Sequence, residues 1–280
     1  MRIRFAGLVV SPLIFFLFSS LAFAQVIYGP ATGGRRSPED LKAAAAAPKP
    51  SYDPHDLSGV WYGNGARRQL GTPPPMTPLG QERFDANKPS GSDAPEARRV
   101  PPALGNDPLG QCDPLGYPRN IEANGRPFEI VQTPGKIIQI FEWGHAFREI
   151  WTDGRKLPPV TELDPRWYGW AVGHWEGDTL VVESSGYDDK TWLNGAGYPH
   201  SEEMKLTERY RHPDAMSLEI TMTLEDPKTY TKPWAGTTQS YKLQLPKGLT
   251  ILEEVFCVPS EEQSFNQQIR DSAAGITKSK

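Results

Sequence analysis

Two cysteines and five histidines in 280 residues leave this chain little from which to build a metal centre or a dense disulfide framework. The histidines are dispersed, and none pairs with another at ligand spacing. Glu142 with His145 and His174 with Asp178 are two-residue coincidences across turns, so neither a metal nor any other cofactor is expected. No G-x-S-x-G elbow is present, which excludes the serine-hydrolase arrangement built on one. No repeat of fixed period supports a propeller or a solenoid. Basic residues are also in short supply: without Arg2 and Arg4 the count is 28 basic against 34 acidic, a net charge of about −6. With no basic stripe to face phosphates, nucleic acid and anionic lipid are excluded as expected partners.

The single long apolar run is N-terminal. Arg2 and Arg4 precede LIFFLFSSLAFA, and Ala22-Phe23-Ala24 forms a small-residue cleavage signal before Gln25. Residues 1–24 therefore read as a secretory signal peptide cut after Ala24, giving a periplasmic or secreted protein that does not span the membrane once the signal is removed. Both cysteines lie in the exported part, where an oxidising compartment lets thiols pair. One disulfide, Cys112–Cys257, is expected to tie a proline-rich segment to the last strand, with two buried free thiols as the alternative.

Residues 25–56, rich in Ala, Pro and charge, read as a mobile leader with a helical turn near Pro38 to Ala47. A single β domain over 57–262 and a flexible tail over 263–280 complete the organisation. The domain opens on a strand at Ser58–Gly63. Residues 64–126 carry many of the 28 prolines, and so cannot supply central strands and must wrap the surface, apart from a short helix around Thr77–Asn87. From Arg126 the pattern has period two: Met216, Leu218, Ile220, Met222 and Leu224 alternate with Ser217, Glu219, Thr221 and Thr223. Similar readings fit 129–132, 136–142, 145–152, 168–175, 179–185, 204–211, 239–245 and 251–257, with hairpin turns at 133–135, 176–178 and 212–214. About ten short antiparallel strands close most naturally into an all-β meander barrel, because an open sheet would expose two edges. A two-sheet sandwich is the alternative.

The opening Asp56-Leu57-Ser58-Gly59-Val60-Trp61 resembles the Gly-x-Trp start of lipocalin-like (calycin) barrels, in which the tryptophan plugs the closed end. The stretch from Asp56 to Glu262 further resembles a large, mostly uncharacterised family of exported bacterial proteins. The motifs that carry the likeness are Cys112-Asp113-Pro114 with Pro118-Arg119, the DGR of Asp153–Arg155, WEGDTLVVES, Asp188–Leu193 with Gly197, PHSE of Pro199–Glu202, Glu208-Arg209 and EDPKTYTKPW of Glu225–Trp234. The resemblance implies a lipocalin-like fold and carries no settled chemistry.

Candidate site residues come from charges that share parity with apolar neighbours, since an unpaired buried charge costs several kcal/mol. Glu208 falls with Met204, Leu206 and Tyr210, Arg148 falls with Ala146 and Ile150, and Glu142 falls with Ile138 and Ile140. Arg148 and Glu208 are expected either to form a bidentate ion pair at the barrel floor or to present their charges to a ligand. The long loop Gly186–Glu203 holds Asp188, Trp192, Tyr198 and His200, and reads as a lid in which His200 acts as acid or base, oriented by Asp188 or Glu208. The bland alternative is that His200 and Ser201 cap the next strand while the aromatics pack the loop down. Eight tryptophans exceed the needs of such a core. Trp170, Trp192, Tyr198, Tyr230 and Trp234 are the candidate ligand-binding aromatics. Three functions follow: a barrel binding a small, partly apolar, aromatic or carbohydrate-like molecule in a cavity under the loop 186–203; a cofactor-independent lyase, isomerase or hydratase using the same cavity with His200, Arg148, Glu208 and Asp188; or a cell-envelope interaction module.

Overall fold

A ten-stranded sheet closes on itself in the computed structural model, which describes residues 51–63, 70–90, 100–101, 104–122, 126–244, 252–253 and 255–271, with Glu39, Lys42 and Ala46. The expected signal peptide 1–24 lies outside the described residues. So does most of the expected helical turn near Pro38, of which Glu39, Lys42 and Ala46 are described and helical. The strands are β1 (Gly59–Gly63), β2 (Phe128–Thr133), β3 (Lys136–Phe141), β4 (Phe147–Trp151), β5 (Trp170–Glu176), β6 (Thr179–Ser185), β7 (Lys205–Asp214), β8 (Ser217–Glu225), β9 (Trp234–Ala235) and β10 (Gln239–Leu243). Each pairs with the next through β9, and β10 pairs with both β1 and β8, so the sheet is a closed barrel and the sandwich is excluded.

β9 and β10 lie end to end along one edge of β8. Leu224 faces Trp234 while Ile220 faces Gln239, so one extra residue bulges between them. Trp234 thus joins the sheet directly after Pro233. The strictly antiparallel meander also needs correction: Ile150 and Trp151 pair with Ala171 and Val172 in parallel. Residues 152–169 carry the chain from one end of the barrel back to the other, and a strand starting from that far end must run parallel to its neighbour. The turn expected at 212–214 falls later, because β7 runs on to Asp214 past a register shift after Arg211. At the β5–β6 turn Gly177 takes φ +57°, a left-handed conformation that a side chain resists.

Alternation sets what lies inside. On β7, Leu206, Glu208, Tyr210 and His212 are buried while Lys205, Thr207, Arg209 and Arg211 are exposed. On β3 the buried residues are Ile137, Gln139 and Phe141, so Glu142, in step with Ile138 and Ile140, belongs to the outward face. Apolar residues on both parities of this strand hid that choice from the sequence. Glu142 is nonetheless buried, held by Arg126 Nη1 at 3.0 Å.

At one end, Trp61 is fully buried and donates from Nε1 to the Leu57 carbonyl at 2.9 Å, with the His212 ring edge-on at 5.5 Å. Residues of the supposed leader reinforce this floor: the Tyr52 hydroxyl donates to the His212 carbonyl at 2.8 Å, and His212 Nδ1 lies 3.0 Å from the Asp53 carbonyl. The helix α1 (Pro78–Ala86), capped by Thr77 Oγ1 on the Gly80 amide, packs at the other end through Phe84 on Tyr198. The proline-rich segment does more than wrap the surface, since Tyr117, just before the short helix α2 (Arg119–Glu122), is buried against the barrel interior. Cys112 and Cys257 are joined, their Cα atoms 5.3 Å apart. Among the described residues of the expected strand 251–257, the pairing present is a parallel bridge between Val255 and Trp143. Part of the expected flexible tail is helical, continuing α3 (Pro259–Phe265) through Arg270. No helix among the described residues is long and apolar enough to cross a membrane.

Candidate functional site

The inward faces of β3, β4, β6 and β7 meet in one buried polar centre. Arg148 and Glu208 are 2 % and 0 % exposed, and they form the bidentate pair that their parity suggested. Arg148 Nη2 donates to Glu208 Oε2 at 2.5 Å and Nη1 to Oε1 at 3.2 Å. Since β5 and β6 lie between β4 and β7 in the sheet, the pair spans the barrel interior. Two inward residues of β5 are small, Ala171 and Gly173, which leaves room for a long guanidinium beside that part of the wall; a Cβ on Gly173 would sit 3.1 Å from Ile150 Cγ2.

The pair makes further hydrogen bonds to its neighbours. Arg148 Nη1 also donates to Gln139 Oε1 at 3.1 Å, and Nη2 to Ser184 Oγ at 3.0 Å. The Tyr210 hydroxyl donates to Glu208 Oε1 at 2.8 Å and accepts from Gln139 Nε2 at 2.9 Å. Ser184 Oγ lies 2.6 Å from the Tyr187 hydroxyl. Tyr117 completes the shell: its hydroxyl donates to Glu208 Oε1 and sits 3.3 Å from the Tyr210 hydroxyl, while its ring lies 3.9 Å from the Arg148 guanidinium carbon. Arg148 Nε is buried without a hydrogen-bond partner.

Burial drives the electrostatics here. Desolvation pushes the Tyr117 and Tyr210 hydroxyls well above the ordinary tyrosine value, and the Glu208 charge pushes them further, so both stay protonated donors. The Tyr187 hydroxyl is raised by burial to about 12. Desolvation is the largest influence on Arg148 and opposes its charge, but Glu208 together with Tyr117, Tyr187 and Tyr210 outweighs it and holds the guanidinium above its usual value.

No family model, no curated protein and no solved structure matches this chain.

The other expected catalytic residues sit elsewhere. His200 is buried, with Nε2 2.7 Å from Thr191 Oγ1 and Nδ1 3.4 Å from the Ser201 carbonyl. Thr191 thus occupies the place where Asp188 or Glu208 was expected, and among the described residues no hydrogen bond joins His200 to either carboxylate. Asp188 instead accepts from the Lys190 amide at 3.1 Å. Burial lowers the His200 pKa, against the pull of Asp226, Asp188 and Asp189.

The loop from Gly186 to Glu203 is mostly buried, and it is tied down at several points. The Ser201 amide and hydroxyl donate to Asp226 at 2.6 and 2.7 Å. Arg83 of α1 donates to the His200 carbonyl at 3.1 Å and pairs with Asp189 at 3.0 Å. The expected ligand-binding aromatics are part of this fastening. Tyr198 stands edge-on to Trp234 at 5.1 Å, Trp234 Nε1 donates to the Gly71 carbonyl at 2.8 Å, and the Tyr230 hydroxyl donates to the Pro199 carbonyl at 2.8 Å. Trp192 lies under Arg119 at 5.5 Å. Trp170 is only half-buried, stacked by Arg166 at 3.3 Å. No group of three or more His, Cys, Asp or Glu side chains among the described residues could hold a metal ion.

Sequence reasoning missed Gln139, Ser184, Tyr187 and Tyr117. Ser184 was recoverable, because it shares parity with Leu180 and Val182 on β6. Tyr117 was not, because the proline-rich segment around it has no period from which to read a direction.

Proposed function

We propose that this is an exported barrel whose interior recognises a small, partly apolar molecule at the Arg148–Glu208 centre. The observation that carries the reading is the centre itself: a charged pair, a glutamine, a serine and three tyrosine hydroxyls gathered inside an otherwise apolar barrel. Stability alone does not call for it, since replacing a buried ion pair by apolar residues of similar volume is often neutral or favourable by about 1–4 kcal/mol. Ligand sites have this composition, a mostly apolar wall with a few fixed polar groups that orient the bound molecule. The unpartnered Arg148 Nε is a donor that a ligand would satisfy. The lipocalin-like opening and the Trp61 floor fit the same reading. Export rests on the N-terminal apolar stretch and agrees with the Cys112–Cys257 bridge.

The test is intrinsic tryptophan fluorescence of the mature protein starting at Gln25, titrated with a panel of small aromatic and sugar-like compounds. Saturable quenching by at least one compound is expected, and it should be lost in the double variant Arg148→Met/Glu208→Gln. A folded protein that responds to none would contradict the reading. His200 lies apart from the centre, so the enzyme reading gains no support from its geometry.

The interaction-module reading keeps one specific observation in its favour, the exposure of Phe256, Val258, Phe265 and Ile269 around α3. Phe265→Glu with Ile269→Glu would then abolish capture by an envelope partner and leave ligand quenching unchanged.

A further inference from the structure

Among the described residues, the groups hydrogen-bonded to the Glu208 carboxylate come from the barrel wall with one exception. Arg148 and Tyr210 stand on β4 and β7, whereas Tyr117 enters from the segment that crosses the barrel end. That segment is fastened on both sides of the tyrosine. Before it, Cys112 is bonded to Cys257. At it, the Tyr117 amide donates to the Trp167 carbonyl at 3.1 Å. After it, Arg119 makes a two-point pair with Asp107 at 2.5 and 2.8 Å. Gly116, with φ +70°, lets the backbone approach so closely that a Cβ there would sit 2.6 Å from Thr191 Cγ2. These fastenings hold one phenol side chain in contact with one carboxylate and one guanidinium.

We infer that the centre is a recognition site for 4-substituted phenols, and that Tyr117 is the chain's own occupant of it. The inference rests on the proposed ligand-binding function and names its ligand class. Each element of phenol recognition is present at Tyr117. The Glu208 carboxylate accepts the phenolic O–H, the Arg148 guanidinium carbon lies 3.9 Å from the ring centre, and the Tyr210 hydroxyl is a second polar neighbour at 3.3 Å. The buried hydroxyl remains protonated, which is the form a carboxylate can accept from. A free phenol bearing a carbon substituent opposite its hydroxyl has the shape and donor of this side chain, and competes with it for the same contacts. The protein's affinity for that phenol is then set by how firmly Tyr117 holds its place, as for any ligand whose competent state is a minority.

p-Cresol, the tyrosine side chain as a free molecule, is the probe, and toluene is its counterpart without the hydroxyl. Both are titrated by calorimetry into full mature wild-type protein, Tyr117→Phe and Tyr117→Ala. Tyr117→Phe keeps the packing but removes the hydroxyl that holds Glu208, so p-cresol should bind it more tightly than wild type. Tyr117→Ala should bind p-cresol more tightly still, and toluene at least about 100-fold more weakly than p-cresol, since a site built to pair a hydroxyl discriminates against an analogue without one.

Equal affinities for p-cresol and toluene in Tyr117→Ala would overturn the inference by showing a merely apolar vacancy. If the alanine variant does not fold, p-cresol binding to Tyr117→Phe that is no tighter than to wild type overturns it alone. Saturable quenching by non-phenolic compounds, with p-cresol inert in every variant, would sink the phenol assignment and leave the ligand-binding function standing. Silence from the whole panel would remove both.

Discussion

Arg148 and Glu208 reached the same interior because Arg148 shares its face with Ile150 and Glu208 shares its face with Leu206 and Tyr210, and burial of one charge is tolerable only beside the other. Arg148→Met should therefore destabilise the fold by about 3–5 kcal/mol in urea denaturation, because it strands a buried carboxylate. Adding Glu208→Gln to that variant should restore much of the loss. His200 makes a separate prediction. Its pKa is lowered in the folded state by burial, so the unfolded chain takes up the proton first. Its contribution to stability is full above the unfolded value of about 6.5 and is lost as pH falls below that towards the folded value. Unfolding measured from pH 7.5 down to pH 5 should show this decline, and His200→Gln should flatten it. At this scale the sequence was informative wherever alternation was clean. Glu208 stood out among Met204, Leu206 and Tyr210. Gln139 did not, because isoleucines occupy both parities around it.

Elements were legible to the extent that their neighbours along the chain were also their neighbours in space. The helix α1, the β2–β3 and β5–β6 hairpins and the regular run of β8 all follow from local pattern and turn residues. The parallel pairing of β4 with β5 does not, because nothing in residues 152–169 states at which end of the barrel the chain will resume. The entry of Tyr117 into the interior was hidden because the proline-rich segment around it has no period; that segment is fastened by the Cys112–Cys257 bridge across a separation of 145 residues. Closing so long a loop restricts the unfolded chain, and Cys112→Ser with Cys257→Ser should cost up to about 5 kcal/mol in denaturant titration. Among the described residues no strand pairing contains either cysteine, so the far-ultraviolet circular dichroism of the native barrel should persist. A smaller effect belongs to the β5–β6 turn. Gly177 has open space where a side-chain methyl would stand but a φ of +57°, so Gly177→Ala should cost about 1–2 kcal/mol through backbone conformation alone.

The β domain is a closed barrel with unlike ends. Trp61, Leu57 and His212 fill one end with a packed floor braced by Tyr52 and Asp53. The other end is crossed by separate pieces of chain, α1, the Tyr117 segment and the loop 186–203, held by Ser201–Asp226, Arg83–Asp189 and Asp107–Arg119. The polar centre lies inside the barrel that these ends close. Arg148 Nε offers the most direct view of it, because it is a buried donor of the centre that lacks a hydrogen-bond partner among the described residues. The decisive measurement is the Nε–Hε resonance of Arg148 in nitrogen-15 spectra of the mature protein, assigned by its loss in Arg148→Lys and followed against the aromatic and sugar-like panel. At least one compound should move this resonance saturably while that of the exposed Arg155 stays still. A resonance unmoved by every compound, including any that quenches tryptophan fluorescence, would show that the barrel centre is not where this protein meets its ligand.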